Sequence, residues 1–252
     1  AAYGAKLNYL INQYRQWWRL ITPMFVHVNL PHLFINMFSL WMIGPYVEKL
    51  YGSAKFVVFW VFSGILSIVA SYLTVRPDLA TGSLGRFLFK TMDNPSAGAS
   101  GALFGLVGVL FVFGIKFRHE LPEGFKRAFG TGMLPIIVIN LFIGYLGRGF
   151  IDNAAHLGGL LSGAVLALGV NYQRPGVRRT ITNAWRVLQF LALSVVVLMA
   201  SSSLVRAEGA AEFDVGDQGG THDDLDQRLA QTTVLYVDIL SGNDEQICWR
   251  GN

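Results

Sequence analysis

Apolar runs recur along the chain, and polar segments separate them. Six of these runs are long enough, as helices, to cross a hydrocarbon core of about 30 Å. They cover residues 32–47, 56–73, 97–115, 132–146, 154–172 and 187–205. Several are short and rich in glycine, which favours helices that tilt and pack closely against one another. The pattern predicts an all-α fold, a polytopic transmembrane helical bundle.

Composition supports a membrane protein. Hydrophobic residues make up 52% of the 252 positions and charged residues only 14%, which argues against a water-soluble globule. Lysine and arginine lie between the apolar runs rather than in one patch, so the positive net charge does not indicate nucleic-acid binding. Cys248 is the only cysteine, which excludes a disulfide within one chain.

Basic residues alternate between the connections and predict the orientation. Connections rich in lysine and arginine are expected in the cytoplasm. Those connections contain Lys49 and Lys55, then Lys116, Arg118, Lys126 and Arg127, then Arg174, Arg178, Arg179 and Arg186. Arg76, Arg86 and Lys90, on the opposite face, weaken this bias. We expect an integral protein of the plasma or inner membrane. In this orientation the first residues lie on the external side, which predicts a preceding transmembrane span that this sequence lacks.

This orientation divides the chain into four parts. Residues 1–31 are predicted to form an interfacial external loop, in which Trp18 and Arg19 favour the headgroup layer. Residues 32–172 form the core. A basic cytoplasmic linker and an extra transmembrane helix follow at 173–206, and residues 207–252 form an acidic, partly disordered external tail.

Four polar residues lie near the starts of three spans that run in the same direction. They are His32 and Asn36, then Ser100, then His156. Polar groups inside a membrane are costly and therefore often functional. At about 1.5 Å per residue, Ser100 lies roughly 24 Å from Lys116, so the group is expected just below the outer surface. The four side chains should share one shallow pocket.

Small residues follow two of these positions and allow close helix packing. Gly101 and Gly105 follow Ser100, and Gly159 and Gly163 follow His156. A serine hydroxyl within about 3 Å of a neutral imidazole can carry out acyl transfer. The backbone N–H of Ser100, the Asn36 amide and the His32 ring are candidate oxyanion donors. Asp93 and Asp152 flank spans, so a third triad member is not evident, and packing would have to orient His156.

Five short motifs in order resemble the rhomboid family of intramembrane proteases. They cover about residues 17–163. In chain order they are Trp18-Arg19 (WR), His32 with Asn36 (HxxxN), Glu48 with Gly52 and Phe56 in the turn after that span, Gly98-Ala99-Ser100-Gly101 (GxSG), and Ala155-His156 with Gly159 (AH-xx-G).

The resemblance implies a role for each matching residue. Ser100 would be the nucleophile and His156 the general base, with His32 and Asn36 as oxyanion donors. Residues 132–146 would form a mobile gate and the loop at 147–153 a cap. Phe104 stands where many members have tyrosine, so it could pack under His156 without a phenol hydrogen bond. The family's first core span is absent, and the span at 187–205 would make the complete protein a six-plus-one type.

Other interpretations remain open for single residues and for the whole chain. Ser100 alone could serve packing, Asn36 could bond across helices, and His27 could be interfacial or help bind water at the site entrance. A rhomboid-fold protein without activity, acting as a chaperone or trafficking factor for transmembrane helices, is the main alternative. A transporter, an aspartyl protease or a zinc protease fits less well, because the six spans contain neither Asp nor Glu and the sequence has no H-E-x-x-H.

The sequence therefore predicts a serine endopeptidase that hydrolyses peptide bonds in or near transmembrane segments by a Ser100–His156 dyad. Its partners would be transmembrane protein substrates and the lipid bilayer. Small residues are expected beside the cleaved bond because helices crowd the site. No metal or organic cofactor is implied, and the oligomeric state is not predicted.

Overall fold

The computed structural model describes residues 4–147, 150–173 and 179–216. The chain forms two units, Ala1–Val205 and Arg206–Asn252, and the helical bundle belongs to the first. The α-helices in the described ranges are α1 (Asn8–Tyr14), α2 (Leu30–Tyr51), α3 (Ser53–Leu73), α4 (Gly82–Leu88), α5 (Ser100–Lys116), α6 (Glu123–Ala128), α7 (Leu134–Leu146), α8 (Asn153–Gly169) and α9 (Arg179–Gly216).

The predicted all-α fold is confirmed, and each of the six apolar runs overlaps a helix, of which α7 is the shortest with 13 residues. Apart from helices and turns, the described residues contain only two isolated bridges, Lys6 with Ser96 and Val75 with Lys90. By length and composition alone, two described segments could cross a membrane, Ser53–Leu73 and Thr182–Ser203. The apolar helices at Ser100–Lys116 and Asn153–Gly169 are shorter. A helix surrounded by other helices needs less length, because its neighbours satisfy and cover its ends.

Helix α5 lies at the centre of the bundle. It is buried on nearly every side, and Leu106, Val109, Leu110 and Phe113 form the main apolar core with Phe59 of α3. Helices α2, α3 and α8 pack around it. The helix that carries Ser100 is therefore packed between three other helices of the bundle.

Small residues make the contact between α5 and α8, as their spacing predicts. A Cβ atom on Gly159 would collide with the backbone carbonyl of Gly101, and one on Gly163 would collide with that of Gly105. On its other side, α5 packs against α3, where Ser67 lies against Gly101. Close backbone approach brings the two helices that start with Ser100 and Asn153 side by side.

Large apolar side chains face outward on α2, α7 and α9. Phe34, Trp41, Phe142, Val197 and Leu198 are all exposed. Helix α7 buries only Ile137 and Gly144. Exposed apolar surface on this scale suits a lipid environment and would be a liability in water.

The described part of the predicted loop at 1–31, residues 4–31, is folded against the segment that leads to Ser100. The backbones of Lys6 and Ser96 exchange two hydrogen bonds of 2.8 and 3.1 Å, and Lys6 Nζ pairs with Asp93 at 3.0 Å. Arg19 is buried and donates to the carbonyl of Ala5 at 2.6 Å. The Trp18-Arg19 pair thus braces this loop from within.

All six helices differ in their bounds from the predicted runs, and two of these differences affect the site or the predicted tail. Helix α5 begins at Ser100 rather than at residue 97, because Gly98 has a φ of +129° that ends any helical backbone. Helix α9 begins at Arg179 and continues to Gly216, into the part predicted as the acidic tail. The described residues do not include the rest of that predicted tail, 217–252. They also do not include residues 148 and 149 of the predicted cap.

Candidate active site

Ser100 is the first residue of α5, and the turn before it fixes where it points. Gly98 donates its N–H to the carbonyl of Pro23 at 2.8 Å. Its φ of +129° is readily adopted only by glycine. A Cβ at this position would also lie 2.6 Å from Cε1 of His32. Glycine at position 98 therefore lets the chain turn sharply into α5 and lets the His32 ring approach.

His156 lies one turn into α8 and faces Ser100. The Asp152 side chain caps this helix by accepting from Ala155 N–H at 3.0 Å, and His156 N–H donates to the Asp152 carbonyl at 3.1 Å. The His156 ring is 9% exposed. Its Nε2 atom lies 2.9 Å from Ser100 Oγ, which is hydrogen-bonding distance.

Packing orients the His156 ring. Phe104 stacks on it, with ring centroids 4.3 Å apart. The opposite ring nitrogen, Nδ1, is buried and has no hydrogen-bond partner among the described residues. The geometry is that of a serine–histidine pair supported by an aromatic ring rather than by a carboxylate.

His32 and Asn36 project from one face of α2 toward the Gly98 turn. The Asn29 side chain caps α2 by accepting from His32 N–H at 2.8 Å. Asn36 is buried and donates one amide hydrogen to the His32 carbonyl at 2.9 Å. The amide has a second N–H, and both side chains line the same cavity as Ser100 and His156.

That cavity has a volume of about 930 Å³. Its lining joins α2, α5, α7, α8 and the segment before α5. The residues nearest the chemistry are His32, Asn36, Gly98, Ser100, Gly101, Phe104 and His156. This volume is within the range of ligand pockets in general.

His27 lies behind His32 rather than among the described residues that line the cavity. The two rings meet edge to face with centroids 5.2 Å apart, and Ala99 N–H approaches His27 Nε2 at 3.5 Å. Burial, and then the neighbouring His32, lowers the pKa of His27 below its usual value. A mainly neutral His27 supports the turn between Gly98 and Ser100, and it reaches the pocket only through His32.

Glu48 is far from this cavity and stabilises a turn. Its carboxylate accepts from Ser53 Oγ at 2.7 Å, and its carbonyl accepts from Gly52 N–H at 2.7 Å. Gly52 has a φ of +87°. Glu48 therefore connects the end of α2 to the start of α3.

A polar cluster on the cavity wall, formed by Asp152, Lys90 and Ser96 with Ser71 behind them, was not predicted from the sequence. Asp152 accepts hydrogen bonds from Lys90, Ser71 and Ser96, three residues from two other segments. From the sequence, Asp152 was expected to lie outside the spans, and Lys90 was considered only as a basic residue of a loop. The one available signal was the position of Asp152 three residues before Ala155, which is typical of a helix N-cap.

Metal ligation has no support in the described residues. No group of three His, Cys, Asp or Glu side chains within them could hold a metal ion. Next to Ser100 the cavity offers a hydroxyl, an imidazole and amide donors, and farther along its wall it carries the charged side chains of Lys90 and Asp152.

Comparison with known proteins gives a family. Residues 14–173 match the Rhomboid domain. The chain is 40% identical over 171 residues to the rhomboid protease GluP of Bacillus subtilis (strain 168), covering 67% of this chain and 29% of GluP. It is 33% identical over 152 residues to the putative rhomboid protease YdcA of the same organism, covering 60% of this chain and 66% of YdcA.

Not every similar protein is named as a protease. The inactive RHOMBOID-like protein 8 of Arabidopsis thaliana is 31% identical over 145 residues, covering 58% of this chain and 36% of that relative. The chain thus spans less than two thirds of each of these three relatives. Similarity alone leaves both an active and an inactive membrane protein open.

Proposed function

The chain belongs to the rhomboid family of integral membrane proteins, and on that premise we propose that it is an intramembrane serine endopeptidase with Ser100 and His156 as its catalytic pair. One observation carries the proposal, the 2.9 Å separation of Ser100 Oγ and His156 Nε2 at the wall of a large cavity. Helix binding alone does not require this pairing of a hydroxyl with a nearly buried imidazole, whereas acyl transfer does.

The proposed reaction is acyl transfer in two steps. Ser100 Oγ attacks the carbonyl carbon of the scissile peptide bond while His156 Nε2 takes the hydroxyl proton. His156 then gives that proton to the nitrogen of the leaving amine, and the peptide C–N bond breaks. In the second step a water molecule attacks the acyl-enzyme, again through His156, and releases the new carboxyl terminus with Ser100 restored.

We assign stabilisation of the oxyanion to three groups near Ser100. The N–H of Ser100 is the first of α5, and the first N–H groups of a helix have no partner within the helix. The second N–H of the Asn36 amide is the next candidate. The His32 ring, held against Gly98, is the third. Fixed donors at the developing charge contribute more to rate than any group that must reorganise.

The surroundings suggest the substrate class. The cavity lies at the end of the bundle where α2, α5 and α8 start, and its side is formed by α7, which is little buried. We propose that a transmembrane segment enters past α7, the gate, and is cut near the external face of the cell membrane. Close packing around Ser100 favours small side chains beside the cleaved bond.

The second candidate is a rhomboid-fold protein without activity that binds transmembrane helices. The named inactive relative is the observation that favours it. In that case the cavity and the α7 surface would still bind helices, but Ser100 would not react.

The deciding experiment compares Ser100→Ala with Ser39→Ala. Ser39 lines the same cavity but lies on α2, which makes it a matched control. The purified chain in liposomes is incubated with a fluorescent transmembrane peptide that carries small residues near one end, and separately with a fluorophosphonate. We expect cleavage and labelling by the unaltered chain and by Ser39→Ala, and neither by Ser100→Ala. Cleavage that survives Ser100→Ala would remove the serine assignment, and a chain that neither cleaves nor reacts would favour the binding protein.

A further inference from the structure

The carboxylate of Asp152 accepts four hydrogen bonds from other described residues. Its Oδ2 atom accepts from Lys90 Nζ at 2.5 Å and from Ser96 Oγ at 2.7 Å, and also from Ser71 Oγ. Its Oδ1 atom accepts from Ala155 N–H at 3.0 Å. We call Asp152, Lys90, Ser71 and Ser96 the Asp152 cluster.

The Asp152 cluster joins the segments that carry the proposed nucleophile and base. Ser96 lies four residues before Ser100, and Asp152 lies four residues before His156. Lys90 is fixed in turn, because its N–H donates to the Thr74 carbonyl at 2.8 Å and its ammonium donates to Ser71 at 2.9 Å. A shift of Asp152 relative to Ser96 would therefore move the starts of α5 and α8 relative to each other.

Two other roles for Asp152 fit less well. A third triad member would bond to Nδ1 of His156, but that atom has no hydrogen-bond partner among the described residues. A purely local helix cap would need only Oδ1. The pairing of Oδ2 with a lysine 62 positions away in sequence serves neither role. The side chains of Lys90 and Asp152 are only 21% and 14% exposed, so water cannot easily replace either partner.

We propose that Asp152 and Lys90 are positioning residues for the reaction, which hold Ser100 and His156 at reacting distance by tying the segment before α5 to the start of α8. This inference rests on the proposed function. Both residues line the cavity, but their charges are paired with each other, so the inference assigns them a role in positioning rather than in binding the substrate. Removing either charge leaves the other without its partner in a partly buried site, and the two segments then separate.

Substitutions of matched size test the ion pair. Asp152→Asn keeps an oxygen that can cap Ala155 but loses the acceptor of Lys90. Lys90→Met keeps the length of the side chain without its charge, and Lys90→Arg restores the charge and the donors. Asp93→Asn is the control, since Asp93 makes the other ion pair of the same connection, with Lys6, and does not bond to α8. The full chain is reconstituted in liposomes, and kcat, KM, fluorophosphonate labelling rate and thermal stability are measured for each variant.

We expect Asp152→Asn and Lys90→Met to lower kcat and the labelling rate by roughly 10-fold to 100-fold, because small misplacements of reacting groups have effects of that size. KM should change little, since the loss is in the reacting geometry rather than in substrate binding. Lys90→Arg should recover most of the rate. Asp93→Asn should lower thermal stability and leave the rate per folded molecule near that of the unaltered chain.

The inference is overturned if Asp152→Asn and Lys90→Met react at the unaltered rate. It is also overturned if Asp93→Asn slows the reaction as much as they do, or if Lys90→Arg gives no recovery. If one of the three variants Asp152→Asn, Lys90→Met and Lys90→Arg does not fold, the remaining two still decide the question. Failure of the proposed function looks different, because then the unaltered chain itself neither cleaves the peptide nor reacts with the fluorophosphonate.

Discussion

Phe104 lies flat against the imidazole of His156, with 9° between the two ring planes. This contact covers one face of a ring whose Nδ1 atom has no hydrogen-bond partner among the described residues. The stack therefore restricts rotation of His156 where a carboxylate would do so in a triad. Aromatic contacts of this kind add about 0.5–1.5 kcal/mol beyond the apolar area they bury.

Replacing Phe104 with alanine should reduce catalysis more than stability. We expect Phe104→Ala to lower kcat by roughly 100-fold, because an imidazole misplaced by about 1 Å loses that much rate. Phe104→Tyr should keep the activity, since the ring remains. Phe111→Ala is the control, because Phe111 is on the same helix but packs against the main core. Peptide cleavage and thermal unfolding are measured together, and an equal loss of kcat in both alanine variants would contradict the orienting role.

Gly159 determines how closely α5 and α8 approach. A Cβ there would meet the carbonyl of Gly101, and backbone cannot move aside as a side chain can. We expect Gly159→Ala to cost about 1–3 kcal/mol of stability as an overpacked site and to abolish cleavage by separating Ser100 from His156. Gly169→Ala on the same helix meets open space and should behave as the unaltered chain does. Normal cleavage by Gly159→Ala would show that the dyad tolerates a wider helix spacing.

The sequence contained enough information to predict the helices and the meeting of Ser100 with His156. Apolar runs mark the spans, and the shared direction of three spans with glycines after Ser100 and His156 leads to one pocket. The contacts of Gly101 with Gly159 and of Gly105 with Gly163 follow the four-residue spacing of these glycines along each helix.

The Asp152 cluster could not be predicted in this way. Lys90 and Ser96 lie in an irregular connection with no periodicity, and their bonds to Asp152 join residues 62 and 56 positions apart. Such contacts depend on how the connection folds back over the bundle. The place of His27 behind His32 has the same origin, since it follows from the turn at Pro23 and Gly98.

Asn36 and Asn140 offer a matched test of the oxyanion donor. Both line the cavity, and each donates to the carbonyl four residues earlier on its own helix, at 2.9 and 2.8 Å. Only Asn36 lies on the α2 face beside Gly98. Removing one oxyanion donor typically lowers kcat about 100-fold to 1000-fold, so Asn36→Ala should lose that much and Asn140→Ala should lose little. Comparable losses in kcat would place the oxyanion elsewhere.

The ion pair between Asp152 and Lys90 should make the stability of the fold depend on pH. Burial alone would raise the pKa of Asp152, but Lys90 and the hydroxyl donors outweigh it and hold that pKa below its usual range. A carboxylate with a depressed pKa in the folded state contributes stability that is complete above its unfolded pKa, about 3.9, and is lost as pH falls toward the folded value. The unaltered chain should therefore unfold at higher temperature than Asp152→Asn near pH 7, and the difference should shrink as the pH falls below about 4.

In a Lys90→Met background the same substitution should give a smaller and less pH-dependent difference, because the main stabilising charge is gone. Thermal unfolding in detergent from pH 7 to pH 3 measures this, and a difference that stays constant or grows in acid would show that Asp152 is not held as an ion by Lys90.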